Sequence, residues 1–208
     1  MYPTGNFERF KNDVLKRYDA IDIPITFGVL IADYRQDRAK QYILNYLKIF
    51  SDESNKYIDF FIPGYQPDHF GDSSECLRIK DRDGHRYVFN ENIFETFISE
   101  FQTAFHYVYE FNPVLVLAEL SGKKFANARK IVIELNSPDS DIRRAGSLFL
   151  EIFNIAKRYV NIEDFSKNLV GTYLKGAYAD AIIQAIGNDM LSEINNQQKN
   201  IRRFTIKP

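Results

Sequence analysis

The sequence predicts an α/β domain built on a mixed, mostly buried sheet flanked by helices. Residues 25–33 read Ile-Thr-Phe-Gly-Val-Leu-Ile-Ala-Asp, an apolar run between Pro24 and a polar cluster. Two further runs of this kind, 57–62 and 114–120, follow after segments with helical periodicity. A short continuous apolar run, rich in β-branched and aromatic residues and bounded by turn formers, is a strand buried on both faces. Strands alternating with amphipathic helices are the mark of an α/β sheet. With 45% hydrophobic residues, 18 Phe and 13 Tyr in 208 residues, the chain has ample material for a core.

Phe7, Phe10, Val14, Leu15 and Tyr18 recur at helical spacing and predict a first amphipathic helix. The strand 25–33 follows, then a second helix carrying Ala39, Tyr42, Ile43, Tyr46, Leu47 and Phe50 on one side. Strand 57–62 ends at Pro63-Gly64, so this strand–helix–strand unit is a parallel crossover. Residues 66–75 read as a loop. Runs 76–80 and 85–89 around Asp83-Gly84 predict a solvent-facing hairpin insert at 76–89 with a type I′ turn. Asn90 or Asn92 caps a third helix bearing Ile93, Phe94, Phe97, Ile98, Phe101 and Phe105, with His106 inside it as a packed or half-exposed residue, and Asn112-Pro113 breaks it.

The strands 114–120 and 130–135 are separated by nine residues, too few for a parallel crossover, which needs about a dozen or more. They are therefore expected to pair antiparallel, making the sheet mixed. The resulting element order resembles a thioredoxin-type arrangement with a hairpin insert, although the cysteine pair of the redox family is missing; a flavodoxin-like sheet is the second choice. After Ser137-Pro138-Asp139 the chain is expected to be helical, with a last helix from about 163 to 195 broken in places by Gly171, Gly176 and Gly187. This gives an α/β domain over 1–136 and a C-terminal helical extension with a basic tail over 137–208.

Several function classes are set aside by composition. The net charge of −1 supplies no global attraction to nucleic acid or to an anionic membrane. No apolar run reaches the roughly 18 residues of a membrane span, and residues 1–10 have no signal-peptide core. Cys76 is the single cysteine, so an internal disulfide and a Cys-x-x-Cys metal or redox motif are excluded, and a reduced, cytoplasmic location is expected.

In open α/β sheets ligands gather at the carboxyl ends of parallel strands. That edge would carry Asp33, Tyr34 and Arg35 after one strand and Tyr65, Asp68 and His69 after the next. A carboxylate, a guanidinium, phenols and an imidazole can bind a nucleotide-like molecule or run acid–base chemistry, with Asp33 as base or ribose acceptor, Arg35 as anion clamp and His69 as proton donor. Asp68, His69, Asp72, Glu75 and Cys76 are ligand types in one loop, but no pair has the spacing of a zinc motif, and no metal or cofactor is expected. Asp81, Asp83 and Gly84 lack the closing glutamate of a calcium loop. Ser121-Gly122-Lys123-Lys124 lacks the glycine and the Lys-Ser/Thr ending of a phosphate loop. Glu119 and Glu134 mark strand ends.

No Ser-His-Asp or Cys-His set has spacing support, which turns the reading away from an enzyme. The tail alternates Lys199, Arg202, Arg203 and Lys207 with Ile201, Phe204 and Ile206. An unanchored tail is normally polar, so these apolar residues point to docking, either as an extra strand on its own domain or on a partner, with Arg202, Arg203, Phe204 and Ile206 as the partner contacts. The expected function is a non-catalytic interaction or sensing module acting through a protein partner or self-association. The alternative is an enzyme or sensor for a nucleotide-like small molecule at the strand-end loops.

Overall fold

The structure, a computed structural model, describes residues 1–37, 39–40, 46, 52–54, 56–68, 78–81, 83–124, 130–135, 142–174 and 182–186. Its elements are β1 (Tyr2–Thr4), α1 (Phe7–Arg17), β2 (Ile25–Ile31), β3 (Phe60–Pro63), β4 (Tyr65–Pro67), β5 (Arg78–Lys80) and β6 (Arg86–Phe89). They continue with α2 (Glu91–Phe105), β7 (Val114–Leu120), β8 (Lys130–Glu134), α3 (Ile142–Ala156), α4 (Ile162–Leu174) and β9 (Ile182–Ile186). Six strands form one mixed sheet in the order β1-β3-β2-β7-β8-β9, and β4-β6-β5 form a second, three-stranded sheet. The class is α/β, as the alternation of buried strands and helices predicts. Most of the second predicted helix lies outside the described residues, where Asp37, Ala39, Lys40 and Tyr46 have helical backbone.

All seven residues of β2 are buried, and so are all seven of β7. β2 pairs in parallel with β3, with Gly28 opposite Phe60, and antiparallel with β7, from Ile25 opposite Leu120 to Ile31 opposite Val114. β7 and β8 are antiparallel, as the short gap between them requires. Side chains alternate across a strand, so β2 serves two cores at once. On one face Phe27 meets Phe10 of α1 and Phe61 of β3 at ring separations of 5.9 and 6.3 Å. Phe7 and Phe10 continue into Phe97, Phe101 and Phe105 of α2, joining both helices to this face. On the other face Phe60 packs on Phe153 of α3 at 5.1 Å. Gly28 lies under that ring: a Cβ there would stand 2.3 Å from Phe60 Cε1, so the close approach of β2 and β3 needs glycine.

Local signals place the helix starts. Asn6 caps α1 by accepting from the Arg9 amide at 2.9 Å, and Asn90 caps α2 by accepting from the Ile93 amide at 3.1 Å. Glu119, buried in β7, accepts from the Ile162 amide at 3.1 Å and holds the start of α4 against the sheet. At the end of α1, Tyr18 donates to Asp59 at 2.8 Å while the Arg17 guanidinium stacks over Tyr2, fixing the helix to the β1 and β3 edge.

Four expectations need correction. β1 pairs with β3 although no strand is predicted there; it is three residues long, and Pro3 is tolerated because β1 is an edge strand. The second strand begins at Phe60 rather than Tyr57, and Gln66 and Pro67, predicted as loop, belong to β4. The hairpin turn is not type I′: Gly84 has φ 84°, but Asp83 is not left-handed. Its closure is a wider loop in which Asp81 N donates to the His85 carbonyl and Gly84 N to the Asp81 carbonyl, while Asp81 Oδ1 accepts from the Asp83 and His85 amides. The predicted last helix, 163–195, ends among the described residues at Leu174, and Ile182–Ile186 is a strand antiparallel to β8. Its three isoleucines favour extended backbone, and the outer edge of β8 offers backbone groups that must be hydrogen-bonded.

β8 also carries a cation into the interior. Lys130 is 3% exposed and its Nζ donates at 3.2 Å to the carbonyl of His106, the left-handed residue that ends α2. The helix end welcomes a positive charge, yet burial opposes it and pushes the amine from 10.5 down to about 8. Between those values the unfolded chain holds more protons than the folded one, so the penalty is full below pH 8 and fades as pH rises to 10.5. The stability gain of Lys130→Met over the native chain is therefore expected to shrink across that window in urea titrations. A difference that does not change with pH would contradict this.

Candidate functional site at the carboxyl end of β2

The alternation that buries β2 decides what happens where it ends. Ile25, Phe27, Val29 and Ile31 face α1 and α2, and continuing the period directs Asp33 toward α2. Asp33 is only 2% exposed. A carboxylate at such depth needs several donors, and Arg35 supplies them. Arg35 donates its backbone amide and its Nε to Asp33 Oδ1, both at 2.9 Å, and Nη2 to Oδ2 at 2.6 Å. Its Nη1 turns outward to Glu91 and, at 3.1 Å, to Glu95.

Glu91 and Glu95 stand one turn apart on α2, where Glu91 also suits the positive helix end. The guanidinium is thus shared among three carboxylates. Its hydrogen bonds to Asp33 raise its pKa further, so it stays charged at any accessible pH.

Aromatic rings wall this cluster. Gly64, with φ 86°, turns the chain between β3 and β4; a Cβ there would stand 2.8 Å from Phe94 Cβ. Tyr65 follows, fully buried against Phe89, whose ring also meets Tyr34 and Phe94. Phe94 continues to Tyr109, and Tyr109 to Phe111. The hydroxyl of Tyr65 is buried with no hydrogen-bond partner among the described residues, and that of Tyr109 is buried next to Asp33. Burial raises both phenols, with Tyr34 adding to the effect on Tyr65 and Asp33 to that on Tyr109. Lys40 stands 5.1 Å above the Tyr34 ring and 3.5 Å from Asp37.

Of the residues proposed from the sequence, Asp33, Tyr34, Arg35 and Tyr65 come together at this edge. Asp68 is held in the three-stranded sheet, accepting from Arg78 Nε at 2.9 Å. His69, Asp72, Glu75 and Cys76 lie outside the described residues, as do Arg202, Arg203, Phe204 and Ile206. Because β7 runs antiparallel to β2, Ser121–Lys124 falls at the opposite edge, where Lys123 pairs with Asp19 at 2.5 Å. His106 is an exposed helix terminus with φ 48° rather than a packed or half-exposed residue inside the helix.

Sequence reasoning missed Glu91 and Glu95, whose pairing with Arg35 spans 56 and 60 positions. It also missed the segment joining α2 to β7. There Tyr107 and Tyr109 point inward, while Val108 is 73% exposed and Phe111 is 65% exposed. Phe111 has φ 62°, a region a bulky side chain avoids. No helix among the described residues is long and apolar enough to cross a membrane.

No protein-family model, curated protein or solved structure matches this chain.

Asp33 is the member whose loss matters most. Removing its carboxylate takes away the bonds to the Arg35 side chain and amide together. Asp33→Ala is expected to lower the unfolding free energy by about 2 kcal/mol, the scale of hydrogen bonds to charged groups. Chemical denaturation checks this; an unchanged midpoint would mean that Arg35 does not depend on Asp33.

Proposed function

We propose that the chain is a non-catalytic protein-interaction module and that its contact surface is the edge at the carboxyl end of β2. The observation that carries this reading is Phe111, an aromatic side chain held in the left-handed region and 65% exposed. Left-handed backbone costs a non-glycine residue about 1–2 kcal/mol, and an exposed phenylalanine regains none of it by burial. Strain of this kind persists where the surrounding structure enforces it, and it clusters at functional positions. Its ring lies 5.8 Å from that of Tyr109, and Val108, three residues earlier, is exposed as well; exposed aromatic and aliphatic side chains of this sort anchor protein contacts.

The competing reading, a nucleotide-like ligand held by Asp33, Arg35 and His69, is less well supported by the charges. Arg35 already serves Asp33, Glu91 and Glu95, so an incoming phosphate would have to displace carboxylates of the protein itself. Among the described residues Asp33, Asp37, Glu91 and Glu95 stand here with Arg35 and Lys40, four negative charges against two positive. Such a surface repels an anion and attracts a cationic partner.

The test is the double substitution Val108→Ser, Phe111→Asn, since asparagine tolerates left-handed backbone. Because asparagine relieves the left-handed strain that phenylalanine bears, unfolding free energy is expected to be no lower than that of the native chain and up to about 1 kcal/mol higher. In native mass spectrometry of protein gently isolated from its own cells, the native chain is expected to carry a second polypeptide and the variant to run as the bare 24.3 kDa chain. A variant that keeps the polypeptide, or a native chain that has none, would overturn the reading.

A further inference from the structure

We infer that the chain associates with itself head to tail, the Phe111 edge of one copy seating on the opposite edge of the next, at the amino end of β2. This rests on the interaction surface proposed above and names its partner as a second copy. Three observations carry it.

The first is that the opposite edge also exposes large apolar side chains. Ile23 leads into β2, and the Val160 carbonyl accepts from the Thr26 amide at 3.1 Å and from its hydroxyl at 2.8 Å, which sets Val160 beside the same strand end. Tyr57, just before β3, has its ring 5.7 Å from Lys157, in the chain that leaves α3. Ile23, Val160 and Tyr57 are all exposed. Scattered apolar residues need no explanation, but these three lie around one strand end.

The second is charge. At this edge Lys56 is held by Glu53 and Lys123 by Asp19. Lys124, Lys157 and Arg158 are exposed and form no ion pair among the described residues. Within 17–24, 53–60, 119–124 and 156–161, Asp22 is the exposed carboxylate in the same condition, which leaves three cations against one anion. The Phe111 edge has the reverse balance, with Asp33, Glu91 and Glu95 sharing the single Arg35. Opposite charges around apolar side chains set the register of a contact, while the apolar residues supply its buried area.

The third is geometry. The seven residues of β2 separate the two edges by about 20 Å at about 3.3 Å per residue, and the edges stand at opposite ends of the strand. One molecule therefore cannot close its own edges on each other, and two edges of like charge repel. The remaining arrangement joins unlike edges of successive copies, a heterologous contact that grows without closing.

In light scattering of the purified full chain, the mass is expected to rise with concentration past twice 24.3 kDa and to fall as salt is added. Two blocked variants decide the arrangement: Val108→Ser with Phe111→Asn, and Ile23→Ser with Val160→Ser, each checked for a native circular-dichroism spectrum. Each alone is expected to keep the mass of a single chain. Their equimolar mixture is expected to reach twice that mass and no more, since one intact edge of each kind remains. A native chain that stays single at every concentration would overturn the inference and leave the Phe111 edge to a different protein. So would an Ile23, Val160 variant that still associates, which would place the Phe111 edge on its own counterpart, or a mixture that stays single. The surface proposed above fails on another result, a Val108, Phe111 variant that keeps the polypeptide isolated with it from cells.

Discussion

The structure depends on the double-sided burial of β2. Seven residues buried on both faces leave no position along the strand where a polar group can meet water. The first ionisable group the chain carries out of it, Asp33, is still inside the protein. A carboxylate there is stable only if paired and hydrogen-bonded, which commits Arg35 to it. The free side of that guanidinium then fixes Glu91 and Glu95, and with them the first turn of α2. The remaining length of α2 packs Phe97, Phe101 and Phe105 onto Phe7 of α1. Its end, anchored by Lys130 on the His106 carbonyl, sets where the 106–113 segment begins. The exposed position of Phe111 thus follows from where the central strand has to stop.

The edge is a self-contained electrostatic unit. Three carboxylates on one guanidinium leave excess negative charge at the rim, while the buried phenols and phenylalanines behind it give the rim a stiff backing.

Much of this was legible in the sequence, and the legible parts share a cause: they are local. β2 and β7 are continuous apolar runs, the antiparallel pairing of β7 and β8 follows from a nine-residue gap, and the hairpin follows from Asp83-Gly84 between two short strands. Asp33, Tyr34, Arg35, Tyr65, Asp68 and His69 are expected together because the ends of parallel strands converge; the first four meet, while Asp68 is held by Arg78 and His69 lies outside the described residues. What escaped is non-local or energetic. Arg35 reads as a free anion clamp until α2 brings Glu91 and Glu95 to it. β1 and β4 are three residues each, and both include a proline. β9 was hidden because its isoleucines sit among alanines and glycines that also suit a helix; the open edge of β8 decides the matter. The left-handed backbone of Phe111 has no sequence signal at all, since glycine or asparagine is the residue such a position normally takes.

The commitment of Arg35 to the protein's own carboxylates separates a contact surface from an anion-binding site, and it can be observed directly. The Nε–H of Arg35 lies between the two oxygens of Asp33 at 2.9 and 3.0 Å, a geometry that protects it from exchange with water. In a nitrogen-edited proton NMR spectrum this proton is expected to give a slowly exchanging signal that adenosine nucleotides do not move. An Nε–H that exchanges as fast as that of free arginine, or a signal that shifts when a nucleotide is added, would contradict the account and return the site to small-molecule chemistry.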